Sequence, residues 1–315
     1  MEVDMRVIFM GTPDFAVPTL EAIIAAGHEV ALVVSQPDKA VGRSKALKYT
    51  PVKACAVAHG IEVYQPERVR NEECVEYLRR YEPDIIIVEA FGQLIPKAIL
   101  EMPRYGCVNV HASLLPKYRG AAPIQWAVIN GDKVTGVTTM RMEEGLDTGD
   151  MIMKQEVVLS GEETGGSLFE RLSREGAALC VKTMEAILDG TAVYTPQNDE
   201  EATHTKKISK EMGSIDWSRD AEAIECLIRG LDPWPSAYTR LNDKTLKVWK
   251  AKVVEGESEA APGCIVKVDK AGLLVQTGQG MLLLTEVQLE GKKRMSVEAF
   301  LNGCPVEAGA YFRKC

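Results

Sequence analysis

The eight cysteines, at positions 55, 74, 107, 180, 226, 264, 304 and 315, include no Cys-x-x-Cys pair. Their scatter excludes a disulfide framework, offers no zinc-ligand spacing, and fits a reducing cytoplasm. No apolar run approaches the roughly 18 residues of a membrane span, and the isoleucines 85–87 read as a buried strand. The start, MEVDMRVIFMG, lacks the basic residues and long apolar stretch of a secretory leader and enters a strand directly. Internal repeats and low-complexity segments are missing too. G-x-G-x-x-G is absent between the strand Arg6–Met10 and the helix expected over Pro13–Ala26, where only Gly11 stands. Dinucleotide binding thereby loses its main support. Positive charge is also short: 37 Lys+Arg against 45 Asp+Glu gives −8, which argues against a general nucleic-acid binder.

What is present suits two domains in 315 residues, and 46% hydrophobic content is ample for their cores. Residues 209–315 hold 15 basic and 15 acidic residues, whereas the remainder holds 22 against 30 and carries the whole deficit. Strands and helices alternate up to Gly190, which predicts a doubly wound, mostly parallel sheet. Helices are expected after Thr50-Pro51, from Asn71 to Arg80, over Ala122–Ile129 and over Ser167–Leu188. The segment 191–208 has no sustained apolar period and reads as a polar linker. Short strands at Ser236–Leu241, Thr245–Val254, Gly263–Lys267, Leu273–Thr277 and Met281–Leu289 predict a small antiparallel barrel, OB-like, over 209–315. Lys244, Lys247, Lys250 and Lys252 around Trp249, with Lys292-Lys293-Arg294, offer it a phosphate-facing surface or simply a solvated strand face.

The chemistry-bearing stretch is Cys107–Val128. Its strand projects Asn109 and His111 to one face, because residues i and i+2 of a strand share a side. Ligands of open α/β sheets bind at the carboxyl ends of strands. The later strand Thr135–Met142 leads into Glu-Glu-Gly-Leu-Asp-Thr-Gly-Asp, which presents Asp147. An amide, an imidazole and a carboxylate on neighbouring strand ends make an acid/base and oxyanion site. Each also has a structural reading, Asp147 as a turn residue above all. Two further segments flank the same edge. Glu89–Pro96 is apolar with Gly92, suited to a flat heterocycle or to plain packing. Gln36–Tyr49 sets Lys39, Arg43, Lys45 and Lys48 against Asp38 alone, a long basic loop without obvious structure.

Asn109-x-His111-x-Ser113-Leu114-Leu115-Pro116, then Arg119-Gly120, then Gly145-Leu146-Asp147-Thr148-Gly149, resembles the signature of the formyltetrahydrofolate-dependent formyltransferases. Two separated motifs stand in the right order, and the likeness covers essentially the whole chain. It is greatest to those members that act on methionyl initiator tRNA. The resemblance implies a Rossmann-like catalytic domain over 1–190 and a tRNA-binding barrel over 209–315. It implies a cytoplasmic, monomeric enzyme with 10-formyltetrahydrofolate as formyl donor, initiator methionyl-tRNA as acceptor and no metal. By the same resemblance Asn109, His111 and Asp147 are catalytic. Ser113, Leu114, Leu115 and Pro116, with Phe91, Gly92 and Leu94, hold the folate. Arg43, with Lys39 and Lys45, meets the tRNA. Glu89-Ala90-Phe91-Gly92 departs from the Val-Ala-Tyr-Gly expected there, which implies a pterin pocket that differs in detail. A formyltransferase for an amino sugar or purine precursor would share trio and fold, but needs neither basic loop nor barrel. An RNA-binding protein with an inactive domain is disfavoured by the intact trio.

Overall fold

Contiguous apolar strands and amphipathic helices sort into two units in the computed structural model, which describes residues 4–41, 46–256 and 258–313. The first unit comprises Met1–Gly120, Val134–Val158 and Phe169–Thr205, and the second Ala121–Lys133, Leu159–Leu168 and Lys206–Cys315. In the first lie strands β1 (Arg6–Gly11), β2 (Glu29–Val34), β3 (Lys39–Val41), β4 (Ala46–Lys48), β5 (Val63–Tyr64), β6 (Ile85–Glu89), β7 (Cys107–His111), β8 (Arg119–Gly120), β9 (Val134–Arg141), β10 (Met151–Val158) and β11 (His204–Thr205). Its helices are α1 (Val17–Ala25), α2 (Pro51–Ala58), α3 (Glu72–Arg79), α4 (Lys97–Leu100) and, from Phe169 on, α6 (Gly165–Leu188).

The main sheet has the order β10-β9-β7-β6-β1-β2-β5. β7, β6, β1, β2 and β5 run parallel, so their carboxyl ends share one edge. β9 is antiparallel to β7, and β10 to β9. Ile8, Met10, Leu32, Val34, Ile86 and Val88 pack with Leu78 and Ile99 in one core cluster. β6 and β7 are buried at every residue, as expected where helices cover both faces. The expected helix over Pro13–Ala26 is divided into a 3₁₀ turn, Asp14–Ala16, and α1. Pro18, which donates no backbone N–H, is tolerated in α1's first turn. Thr50 caps α2 by accepting from Lys53 N at 3.3 Å, with Pro51 at the first position.

Two sequence expectations differ from the structure. Gln36–Tyr49 is not structureless along its flanks, because β3 and β4 pair as an antiparallel ribbon. Each strand is only three residues long, Lys-Ala-Val and Ala-Leu-Lys, too short to show a two-residue period in the sequence. Arg43 and Lys45 lie outside the described residues. Nor is 191–208 a free linker: up to Thr205 it belongs to the first unit. β11 pairs with β8, and Thr195 bridges Met151. Its polar side chains give no apolar period because they bond to loops instead of facing a core.

The second unit holds α5 (Pro123–Ile129), the start of α6 (Gly165–Leu188), α7 (Ala221–Gly230) and α8 (Val297–Gly303). Its strands are β12 (Ala237–Leu241), β13 (Lys244–Val254), β14 (Ile265–Asp269), β15 (Gly272–Gln276), β16 (Met281–Leu289), β17 (Met295–Ser296) and β18 (Phe312–Arg313). The sheet is antiparallel in the order β14-β15-β16-β13-β12-β18. Ile265 N donates to Ala310 O at 2.8 Å and Phe312 N to Gly263 O at 2.9 Å, which ties the chain around its two edge strands together. Ile224, Ile228, Val248, Leu282, Leu284 and Phe300 fill its core. Among the described residues no helix is long and apolar enough to cross a membrane.

Candidate active site

β7 places Asn109 and His111 on one side, about 6–7 Å apart along the strand. Asn109 is 9% exposed, and its amide has no hydrogen-bond partner among the described residues. His111 faces an oxygen at each ring nitrogen and is hydrogen-bonded at one. Nε2 lies 3.0 Å from Tyr118 O, so it must carry the hydrogen and donate, since a carbonyl only accepts. Nδ1 faces Asp147 Oδ2 at 3.8 Å. That gap is wider than a hydrogen bond, which leaves Nδ1 open to a further partner.

Asp147 does not reach His111 in the way the sequence suggests. β9 runs against β7, with Arg141 beside Val108 and Thr138 beside His111. β9 therefore ends near the start of β7, and the loop 142–150 must double back by about 10 Å. Asp147 sits at the turn of that loop with φ 56°, in the left-handed region. Four contacts hold it there. Asp147 Oδ2 accepts from Gly120 N at 2.7 Å. Gln197 Nε2 donates to Asp147 O and to Gly149 O, each at 2.8 Å. Gln197 Oε1 accepts from Arg119 Nε at 3.0 Å. At Gly149 an added Cβ would lie 1.8 Å from Arg141 O, so only glycine closes the loop onto its own strand. Gly120, at φ +102°, supplies the N–H, and a Cβ there would meet Thr205 O at 2.8 Å. The sequence reading missed Gln197. Its signal was a lone amide in a polar stretch, which becomes informative only once β11 is paired with β8.

The Ser113–Pro116 loop lies against β9. Thr138 Oγ1 accepts from Leu115 N at 3.1 Å and donates to Ser113 O at 2.7 Å. The Ser113 hydroxyl donates to Lys117 O at 2.6 Å, and Ser113, Leu115 and Pro116 are buried. Ser113 thus spends its hydroxyl on its own loop. Leu114 is half-buried. Phe91 belongs to the core of the first unit, while Leu94 is 78% exposed and Gly92 has φ +83°. The Phe91 carbonyl accepts from Thr12 Oγ1 at 3.2 Å and from Gln36 Nε2 at 3.1 Å. The turns after β1, β2 and β6 are thereby joined at the edge where β7 also ends. A cleft of about 310 Å³ opens beside them, lined by Thr12, Gln36, Pro37, Lys39, Lys48, Tyr49, Thr50 and Pro51. Of the three basic residues singled out for RNA, the described Lys39 borders this cleft.

Glu89, the departure from the expected pattern, ends β6 fully buried. Neither carboxyl oxygen, nor the Thr19 hydroxyl near it, finds a hydrogen-bond partner among the described residues. Burial pushes the acid up to about 8. Glu89 is therefore largely protonated at neutral pH and packs as a neutral group.

On the second unit, Trp249 is buried beneath Arg294 at 4.6 Å and Lys247 at 5.6 Å from its ring. Lys250 pairs with Glu286 at 3.3 Å, and Arg294 pairs with Glu286 and with Asp232. The basic strip is thus partly balanced by acids. A metal-ligand set, unseen in the cysteine spacing, also exists: one atom each of Glu21, Cys55 and His59 lie within 4.8 Å of one another.

The formyl transferase family profile matches residues 5–184, and that of the formyl transferase C-terminal domain matches residues 207–305. The methionyl-tRNA formyltransferase of Agathobacter rectalis is 68% identical over 308 residues, 98% of this chain and 99% of that protein. That of Lachnospira eligens is 58% identical over 310 residues, 97% of this chain and 98% of that protein. Among solved structures, HypX from Aquifex aeolicus in complex with tetrahydrofolic acid superposes with a TM-score of 0.64 at 18% identity. The match covers 98% of this chain and 51% of that longer one. An amide–imidazole–carboxylate site on such a sheet, with relatives this near over their full length, leaves one assignment: the chain belongs to the methionyl-tRNA formyltransferase family.

Proposed function

We propose that this protein transfers the formyl group of 10-formyltetrahydrofolate to the amino group of methionyl initiator tRNA, as a monomer in the cytoplasm. The relatives' name supplies the acceptor. The arrangement of Asn109, His111 and Asp147 supplies the chemistry and carries the reading.

The amine nitrogen attacks the formyl carbon, and the carbonyl electron pair moves onto oxygen. Asn109, with an unengaged amide on β7, donates an N–H to that oxyanion. Such donors contribute on the order of 10²–10³ in rate. The amine proton goes to His111 Nδ1, since Nε2 stays on Tyr118 O. Asp147 then faces an imidazolium and stabilises it. As the oxyanion collapses, the bond to the donor's nitrogen breaks. That nitrogen keeps the electron pair and takes the proton held at His111 Nδ1, which returns to the neutral imidazole.

Gly92, Leu94 and the Thr12–Gln36 cleft are suited to the folate ring. The Ser113–Pro116 loop offers backbone groups more than side chains, given its burial. In the second unit, the bonds between edge strands support an OB-like barrel, and Lys244, Lys247 and Lys252 beside Trp249 support an RNA-facing role. Arg43 and Lys45 remain assigned to the acceptor end by family likeness, and Lys39 by its place at the cleft.

Single-turnover formyl transfer to charged initiator tRNA, run beside a nucleotide-linked amino sugar, tests this. Transfer to the tRNA is expected at a kcat/KM at least 100-fold higher. Preference for the sugar would overturn the acceptor assignment.

A further inference from the structure

We propose that Glu21, Cys55 and His59 form a binding site for a borderline divalent transition ion, Zn²⁺ or its analogue Co²⁺, on the solvent side of the first unit. Cys55 and His59 stand four residues apart around α2, so their side chains project to one face. The turn between them is regular, with His59 N donating to Cys55 O at 3.2 Å. α1 packs against α2 and brings Glu21 to the same place, so that all three ligand atoms lie within 4.8 Å. Tetrahedral zinc with bonds of about 2.0–2.3 Å has ligand–ligand edges of roughly 3.3–3.8 Å. Side-chain rotation alone closes that difference, because Glu21 and His59 are exposed.

The donor set selects the ion. A thiolate and an imidazole favour Zn²⁺ and its neighbours over Mg²⁺ or Ca²⁺, which ask for oxygens. Three protein ligands leave a fourth position to water. Thiolate and carboxylate together neutralise the dication. Cys55 binds the ion as a thiolate, so binding releases the thiol proton. The bound ion joins two helices whose preceding turns, at Thr12 and Thr50, line the cleft.

The test uses the full chain, stripped with a chelator, kept reduced by a phosphine and titrated with Co²⁺. One equivalent is expected to bind with a thiolate-to-cobalt charge-transfer band, tetrahedral visible bands and release of a proton, and Zn²⁺ is expected to displace it. Cys55→Ser should remove the charge-transfer band. It should also weaken Zn²⁺ by at least about 100-fold, since losing a ligand costs more than the roughly 10–100-fold of an outer-shell partner. His59→Ala and Glu21→Gln should each weaken it at least about tenfold. Basal formyl transfer should stay unchanged in all three, because none lies in the catalytic site. Absence of the thiolate band up to millimolar Co²⁺ would overturn the proposal. So would a band that survives Cys55→Ser, or affinities unmoved by His59→Ala and Glu21→Gln.

Discussion

Every residue of β6 and β7 is buried, whereas β16 and much of β13 alternate between core and water. A polar side chain therefore meets different terms on the two sheets. On the first it must reach the ligand edge, as Asn109 and His111 do, or be stranded in the interior, as Glu89 is. On the second a lysine faces water at little cost, and its charge is spent on neighbours such as Glu286. Chemistry on the first sheet depends on a few fixed atoms. Charge on the second is spread over a surface and should be tolerant of single losses.

Removing the fixed atoms should do the most damage. His111→Ala, Asn109→Ala and Asp147→Ala are expected to slow single-turnover transfer by about 10² to 10³ or more, while the fold survives. A loss below tenfold in any one would remove that residue from the mechanism.

The stranded acid gives the next largest effect. The folded-state pKa of Glu89, about 8, lies above its ordinary 4.5, so folding favours the neutral form. Stability from this group is complete below the ordinary value, falls as pH rises toward 8, and is gone above it. Between pH 5 and 8.5 the wild-type unfolding free energy should drop by a few kcal/mol more than that of Glu89→Gln. Urea unfolding across that range measures it, and parallel curves would mean the carboxyl is solvated.

Gln197→Ala should come third. It frees the Asp147 loop without touching the reacting atoms, so the chemical step should fall about tenfold, since small misplacements cost heavily. KM for folate and for tRNA should stay near the wild-type values, as should the thermal midpoint. A fall in the thermal midpoint with kcat unmoved would reduce Gln197 to packing.

The smallest effect should come from the second sheet. Lys252→Ala is expected to raise KM for tRNA a few-fold at unchanged kcat. It should also flatten the salt dependence by about 0.7–0.9 per lost phosphate contact. A large fall in kcat would break the comparison, because the charge would then belong to the chemistry.

The apolar runs Arg6–Met10, Ile85–Val88 and Cys107–Val110 declare buried strands, and Asn109 with His111 is legible from a two-residue spacing alone. Helix starts were legible at Thr50-Pro51, where cap and proline coincide. What escaped depends on pairing. β8 and β11, two residues each, carry no periodicity, so Gln197 could not be connected to Asp147. The antiparallel course of β9 is equally silent in its composition, and it decides that Asp147 must double back. The charge pattern of Gln36–Tyr49 was plain, but its two strands, of three residues each, carry no alternation to declare them. Glu89 was noticed as an oddity, but its isolation comes from helices on both sides of the sheet.

The Gln197 strap has a bearing on the order in which the enzyme is made. A ribosome releases the chain from its amino end, and all three proposed catalytic residues emerge well before Gln197 and Thr205. Until those later residues leave the exit tunnel, the Asp147 loop lacks two of its carbonyl contacts and β8 lacks its partner. A nascent chain should thus carry the catalytic residues without their working arrangement, and activity should arrive late in synthesis.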